Sequence, residues 1–229
     1  MRIIKKNVNK FFIPMIAVCI ICMFVLGTKV YASEEYAINM NMSELMQEIN
    51  SMLKNSDDSM MSSNPYDYIK SEYFNNIVNR GIVALPVIVD EIETAENNGL
   101  REYILAIAAE EITNTNLNQE NIYNWTNGKE WLEEWNIFLR NIPTRVNYII
   151  NDTENTMQVK EVSLKELGIM ALPYIQEAIE EGHTEFEAVY NDIASLNTSD
   201  VQTYSLTQNI ISESEIDLIK EMVEEVAVD

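Results

Sequence analysis

Apolar side chains recur along this chain at three- and four-residue intervals rather than in alternation, which predicts helices almost throughout. Leu45, Met46, Ile49, Met52 and Leu53 follow the i, i+1, i+4, i+7, i+8 pattern of an amphipathic helix. Tyr66, Ile69, Tyr73 and Ile77 mark one side of a helix expected from Pro65 to Asn79, with Asn64 as its cap. Leu85, Ile88, Val89 and Ile92 mark the next, which ends near Asn97-Asn98-Gly99, and "LREYILAIAAEEI" forms a third. Asn127 with Glu130 caps "WLEEWNIFLRNI", expected to run to Pro143, with "TRVNYIIND" a further short helix or turn. "MQVKEVSLKEL" ends at Gly168, and Thr184 to Glu187 and Ser212 to Glu215 read as capping boxes for two later helices. Strand alternation is scarce, so the fold class is all-α, with about seven to nine helices.

One phrase is written twice. "RGIVALPVIVDEI" (residues 80–92) returns as "LGIMALPYIQEAI" (residues 167–179), an offset of 87 that pairs Gly81 with Gly168, Leu85 with Leu172 and Pro86 with Pro173. Glycine stops one helix in the left-handed region, and isoleucine packs into the turn. A new helix starts close to the alanine, which leaves proline in the first turn, where its missing N–H costs nothing. Helical repeats of roughly 40–47 residues would place two units in this offset, the middle one being the Trp-bearing segment from Asn124 to about Asn151. "GIVALPVI" and "GIMALPYI" resemble the G-x-x-A-L-P-x-L/I phrase that opens the second helix of many HEAT-type repeats. Residues 64–112 also resemble exported proteins of uncharacterised function from Gram-positive bacteria. The resemblance implies a short right-handed α-α superhelix of HEAT-like helical pairs that serves as a binding scaffold, and it brings no catalytic residues. Only two clear repeats are present, which leaves a compact helical domain as the other arrangement.

The N-terminus changes the expected setting. Arg2, Lys5, Lys6 and Lys10 precede an uncharged apolar run from Phe11 to Gly27, and Val30-Tyr31-Ala32 has the small residues of a cleavage site. Residues 1–32 therefore read as a signal peptide cleaved after Ala32, with a retained membrane anchor as the alternative. Residues 33–63 read as a Met-rich amphipathic leader and a flexible linker from Ser56 to Ser63, and residues 64–229 as the HEAT-like domain. The leader helix is either an adaptable contact surface or a cover for an exposed end of the domain. Cys19 and Cys22 both lie in the apolar run, so the cleaved chain holds no cysteine and relies on its core alone. The protein is expected to be secreted or at the cell surface.

Charge narrows the partners. The signal segment holds five of the 15 Lys+Arg and none of the 37 Asp+Glu, leaving 10 basic against 37 acidic side chains, a formal −27. That field repels nucleic acid and anionic lipid, so membrane contact is expected only through an uncleaved N-terminal segment. It favours a protein partner with a basic surface, and calcium is a further candidate for the acidic face. His183 is the only histidine and is expected as a solvated turn residue, so His-based triads and multi-His zinc sites are excluded. No phosphate-binding loop or nucleophile elbow occurs. Glu110-Glu111, Asp90-Glu91-x-Glu93 and Glu180-Glu181 are the dense acidic clusters, read as solvated helical faces. Trp131, Trp135 and Phe138 share a helical stripe, the period of a core rather than of a glycan platform. The sequence thus nominates no catalytic, cofactor-binding or metal residue. It points to a non-enzymatic protein-interaction domain. The alternatives are a carboxylate-dependent hydrolase of cell-wall glycans or a membrane-tethered sensor.

Overall fold

The computed structural model describes residues 9–55, 65–118, 125–196 and 211–228, with the side chains of 29–54 in the first of these and of 211–227 in the last. The basic start of the signal segment, the Ser56 to Ser63 link and the Asn64 cap lie outside the described residues. Among the described residues the periodicity becomes nine α-helices and no strand. They are α1 (Asn9–Asn55), α2 (Glu72–Val78), α3 (Leu85–Thr94), α4 (Leu100–Thr113), α5 (Gly128–Asn151), α6 (Met157–Glu166), α7 (Leu172–Glu180), α8 (Glu187–Leu196) and α9 (Glu213–Val228).

Both copies of the repeated phrase fold alike. Gly81 and Gly168 take positive φ of 68° and 59°. Each opens a single 3-10 turn, Gly81–Ala84 and Gly168–Ala171, that buries Ile82 or Ile169. Then α3 and α7 begin at Leu85 and Leu172, with proline inside the first turn. The local chemistry is complete here: the left-handed residue is glycine, and the residue without an N–H sits where none is needed.

Elsewhere tertiary packing overrides local signals. The helix expected from Pro65 is instead a 3-10 turn, Pro65–Asp67, followed by α2, which starts at Glu72. Ser71 caps α2: its Oγ accepts from Tyr73 N–H and donates to Glu48 Oε2 of α1 at 2.6 Å. Pro143, expected to end a helix, lies inside α5. Trp131, Trp135, Phe138, Leu139, Ile142, Val146 and Ile150 form one buried stripe that runs straight through it. Burial of that stripe outweighs the roughly 3 kcal/mol that an interior proline costs.

The amphipathic pattern before residue 55 builds the core. Ile38, Met42, Leu45 and Ile49 of α1 are buried in the same cluster as Phe74, Ile77 and Leu85, whereas Met52 is exposed. Polar contacts fasten the part of this helix after residue 30: Tyr31 donates to Asp90, Arg80 pairs with Glu34, and Asn76 donates to Asn41. Arg101 donates to both Asn39 and Glu91 at 2.7 Å. Helix α5 sits centrally, against α3, α4, α6, α7 and α9. The last helix, α9, also touches both glycine turns. It begins as expected at Ser212, whose N–H donates to Glu215 Oε2 at 2.8 Å. Among the described residues no helix is long and apolar enough to cross a membrane.

Candidate functional site

The C-terminal end of α4 is where the fold brings unlike chemistry together. Asn114 closes the helix in the left-handed region at φ 52°, and Thr115 N–H donates to Glu110 O at 3.0 Å. Thr113 Oγ1 lies 2.7 Å from Ala109 O and 2.8 Å from Thr115 Oγ1. This turn is pressed against the second glycine joint so closely that a Cβ on Gly168 would stand 2.2 Å from Thr113 O. Between the α4 end, the Pro65–Asp67 turn and α6 opens a cavity of about 700 Å³. Tyr66, Glu110, Glu111, Thr115, Lys165 and Glu166 line it. Among the described residues lining it, three carboxylates face one ammonium, and that ammonium is already held by Asp192 at 2.8 Å.

Glu110 is the unusual member. Its neighbour Glu111 is exposed as expected, but Glu110 is only 6% exposed. Leu117 N–H and Trp125 Nε1–H both donate to its Oε1, at 3.2 and 3.1 Å. Trp131 Nε1–H lies close enough to favour the ionised form, without the geometry of a hydrogen bond. Burial nevertheless dominates and pushes the carboxyl up to about 7 from 4.5, with Glu111 adding to the rise. Desolvation disfavours the charged form by more than the donors restore. A sequence signal existed: residues 104–109 of α4, "ILAIAA", are all apolar, so the apolar face of this helix is wide enough to reach Glu110.

The sign of the resulting pH dependence is fixed. The folded-state value of Glu110 lies above the unfolded one, so its contribution is full below about 4.5 and is lost as pH rises through about 7. Relative to Glu110→Gln, the parent should lose about 3 kcal/mol between pH 4.5 and 8. Urea unfolding across that range measures the difference, and parallel profiles for the two proteins would contradict it. Glu130, Asp152 and Glu185, whose carboxyls are lowered by hydrogen bonds, act with opposite sign but cancel in this comparison.

The other nominated residues fall outside this cavity. Trp125, Trp131 and Trp135 are core residues, at most 3% exposed, with Trp131 and Trp135 stacked at 5.2 Å. His183 lies in the turn after α7, 3.4 Å from Glu185. Asp90 and Glu91 bind α1 through Tyr31 and Asn39, and Glu180 and Glu181 are exposed. Among the described residues no three acidic or histidine side chains are arranged to hold a metal ion. Against protein-family models, curated proteins and solved structures, the chain gives no match.

Proposed function

We propose that this chain is an exported, non-enzymatic binding domain: a short right-handed α-α superhelix of HEAT-like pairs, closed by α9, that docks a basic protein segment at the acidic cavity. The observation that carries the reading is the imbalance at that cavity. Among the described residues, Glu110, Glu111 and Glu166 line it against Lys165 alone, and Lys165 is occupied by Asp192. A concave site with uncompensated like charges steers and retains ligands of the opposite sign. Val162, 53% exposed and lining the same cavity, supplies an apolar contact at its edge. The setting that goes with this reading is outside the cytoplasm, with residues 1–32 acting as the signal segment and cleavage after Ala32.

A photo-reactive amino acid at position 162 should capture a protein partner in the native cell. The same group at the exposed Tyr148, outside the cavity, should not. Glu111→Lys/Glu166→Lys should abolish the adduct at 162, since both charges reverse where the partner lands. Adducts that ignore the charge reversal, or that form equally at both positions, would overturn the reading. One observation favours the carboxylate hydrolase as a second reading: Glu110 is near its midpoint at neutral pH beside two other cavity carboxylates. Acid–base pairs in glycosidases are built on that pattern. Release of sugar fragments from cell-wall glycan, abolished by Glu110→Gln, would replace the binding reading with the catalytic one.

A further inference from the structure

The geometry points to a covalent modification site at Asn98-Gly99: the folded chain deamidates Asn98 by itself, with Glu102 as the base. The proposal is independent of the acidic-cavity reading.

Two Asn-Gly steps, Asn98-Gly99 and Asn127-Gly128, stand at the starts of α4 and α5 and meet in space. Asn98 Nδ2–H donates to Asn127 Oδ1. Glycine after asparagine leaves the next main-chain nitrogen unshielded by a Cβ, so that nitrogen can approach the side-chain amide carbon. Its attack on Cγ closes a succinimide ring and expels ammonia, and water then opens the ring.

At Asn98 each participant is in place. The nucleophile is the Gly99 nitrogen, whose N–H donates to Glu102 Oε2 at 2.7 Å. An N–H held by a carbonyl is merely tied down, whereas a carboxylate can take the proton as the new bond forms. Charge that develops on Asn98 Oδ1 during the attack meets the Lys129 N–H, 3.2 Å away in the first turn of α5. The bond from Gly99 N to Asn98 Cγ forms, the Cγ–Nδ2 bond breaks, and the proton from Gly99 leaves with Nδ2 as ammonia. Water adds to either ring carbonyl and gives aspartate or iso-aspartate. It has access, because Asn98 and Gly99 are exposed between α3 and α4.

Asn127 carries the same pair of residues without the freedom. Its Oδ1 also accepts Glu130 N–H at 3.0 Å, and its main-chain O accepts Trp131 N–H at 3.0 Å. Gly128 is buried so closely against α4 that a Cβ on it would stand 2.6 Å from Glu102 Cβ. The backbone rotation that ring closure requires is blocked there. Conversion at position 98 replaces the amide that donates to Asn127 by a carboxylate, so the link between the starts of α4 and α5 is lost.

Ageing the full chain in mild detergent at physiological temperature and pH tests this. Ammonia is assayed in solution, and the exchange of NH for O is located by fragmentation mass spectrometry. In the folded parent, Asn98 should convert at least about tenfold faster than Asn127. Glu102→Gln keeps an oxygen for the Gly99 N–H but is no base, so Asn98 should convert at least about tenfold more slowly in that variant. A second comparison needs no variant: the parent held unfolded in guanidinium should convert Asn98 more slowly than the folded parent does. Conversion of Asn98 in folded Glu102→Gln within about twofold of the parent would overturn the proposal. So would a folded parent that converts Asn98 no faster than the unfolded chain, or no faster than Asn127.

Discussion

Leu172→Asp and Leu85→Asp should each leave no folded population at 25 °C. Both leucines have no exposed surface, and both are the first residue of the helix that follows a glycine joint. Either change removes a buried apolar side chain and installs a carboxylate with no cation beside it. The lost burial and the uncompensated charge together exceed about 5 kcal/mol. Domains of this size are held by only about 5–15 kcal/mol, so loss of the cooperative transition is the expected outcome. Far-ultraviolet dichroism during heating is the measurement. A variant with the melting curve of the parent would mean that the repeated phrase does not form the joint described.

The second large effect separates two positions that read identically. Gly168→Ala should destabilise by about 3–5 kcal/mol, from left-handed strain together with overpacking. The added methyl would stand 2.2 Å from Thr113 O and 2.9 Å from Asn114 O, both backbone atoms that cannot step aside alone. Gly81→Ala meets nothing within 4 Å and carries the strain of its positive φ alone, about 1 kcal/mol. In a chain of this size those values correspond to losses in Tm of roughly 10 °C and 3 °C. Equal losses at the two glycines would contradict the close seating of the second joint on the α4 end, and with it the wall of the cavity.

That difference marks what could be read from the chain alone. The joints were legible because glycine, isoleucine, alanine, leucine and proline each do something local: stop, tuck, close approach, restart. The helical class was legible from the apolar period. The passage of α5 through Pro143 was not, because a local rule forbids it and only the depth of the stripe from Trp131 to Ile150 overrules it. The Ser71 cap was missed for a related reason. Asn64-Pro65 is the stronger local start signal, but Ser71 also donates to Glu48 on a helix 23 residues earlier, and no sequence pattern reports that bond. Glu110 was hidden by its own chemistry. A glutamate beside another glutamate reads as surface, and its burial depends on where α4, α6 and the Pro65–Asp67 turn meet. Only the unbroken apolar run of residues 104–109 before it hinted otherwise.

The claim on which the functional account turns is that the Glu110 carboxyl is buried in the wall of the acidic cavity. The direct measurement follows the side-chain carboxyl carbons by NMR in the full chain labelled at glutamate, from pH 3 to 9, with Glu110→Gln identifying the resonance. The account predicts that the Glu110 signal has its midpoint near 7. A Glu110 midpoint between about 4 and 5, the ordinary range of a free glutamate, would contradict it.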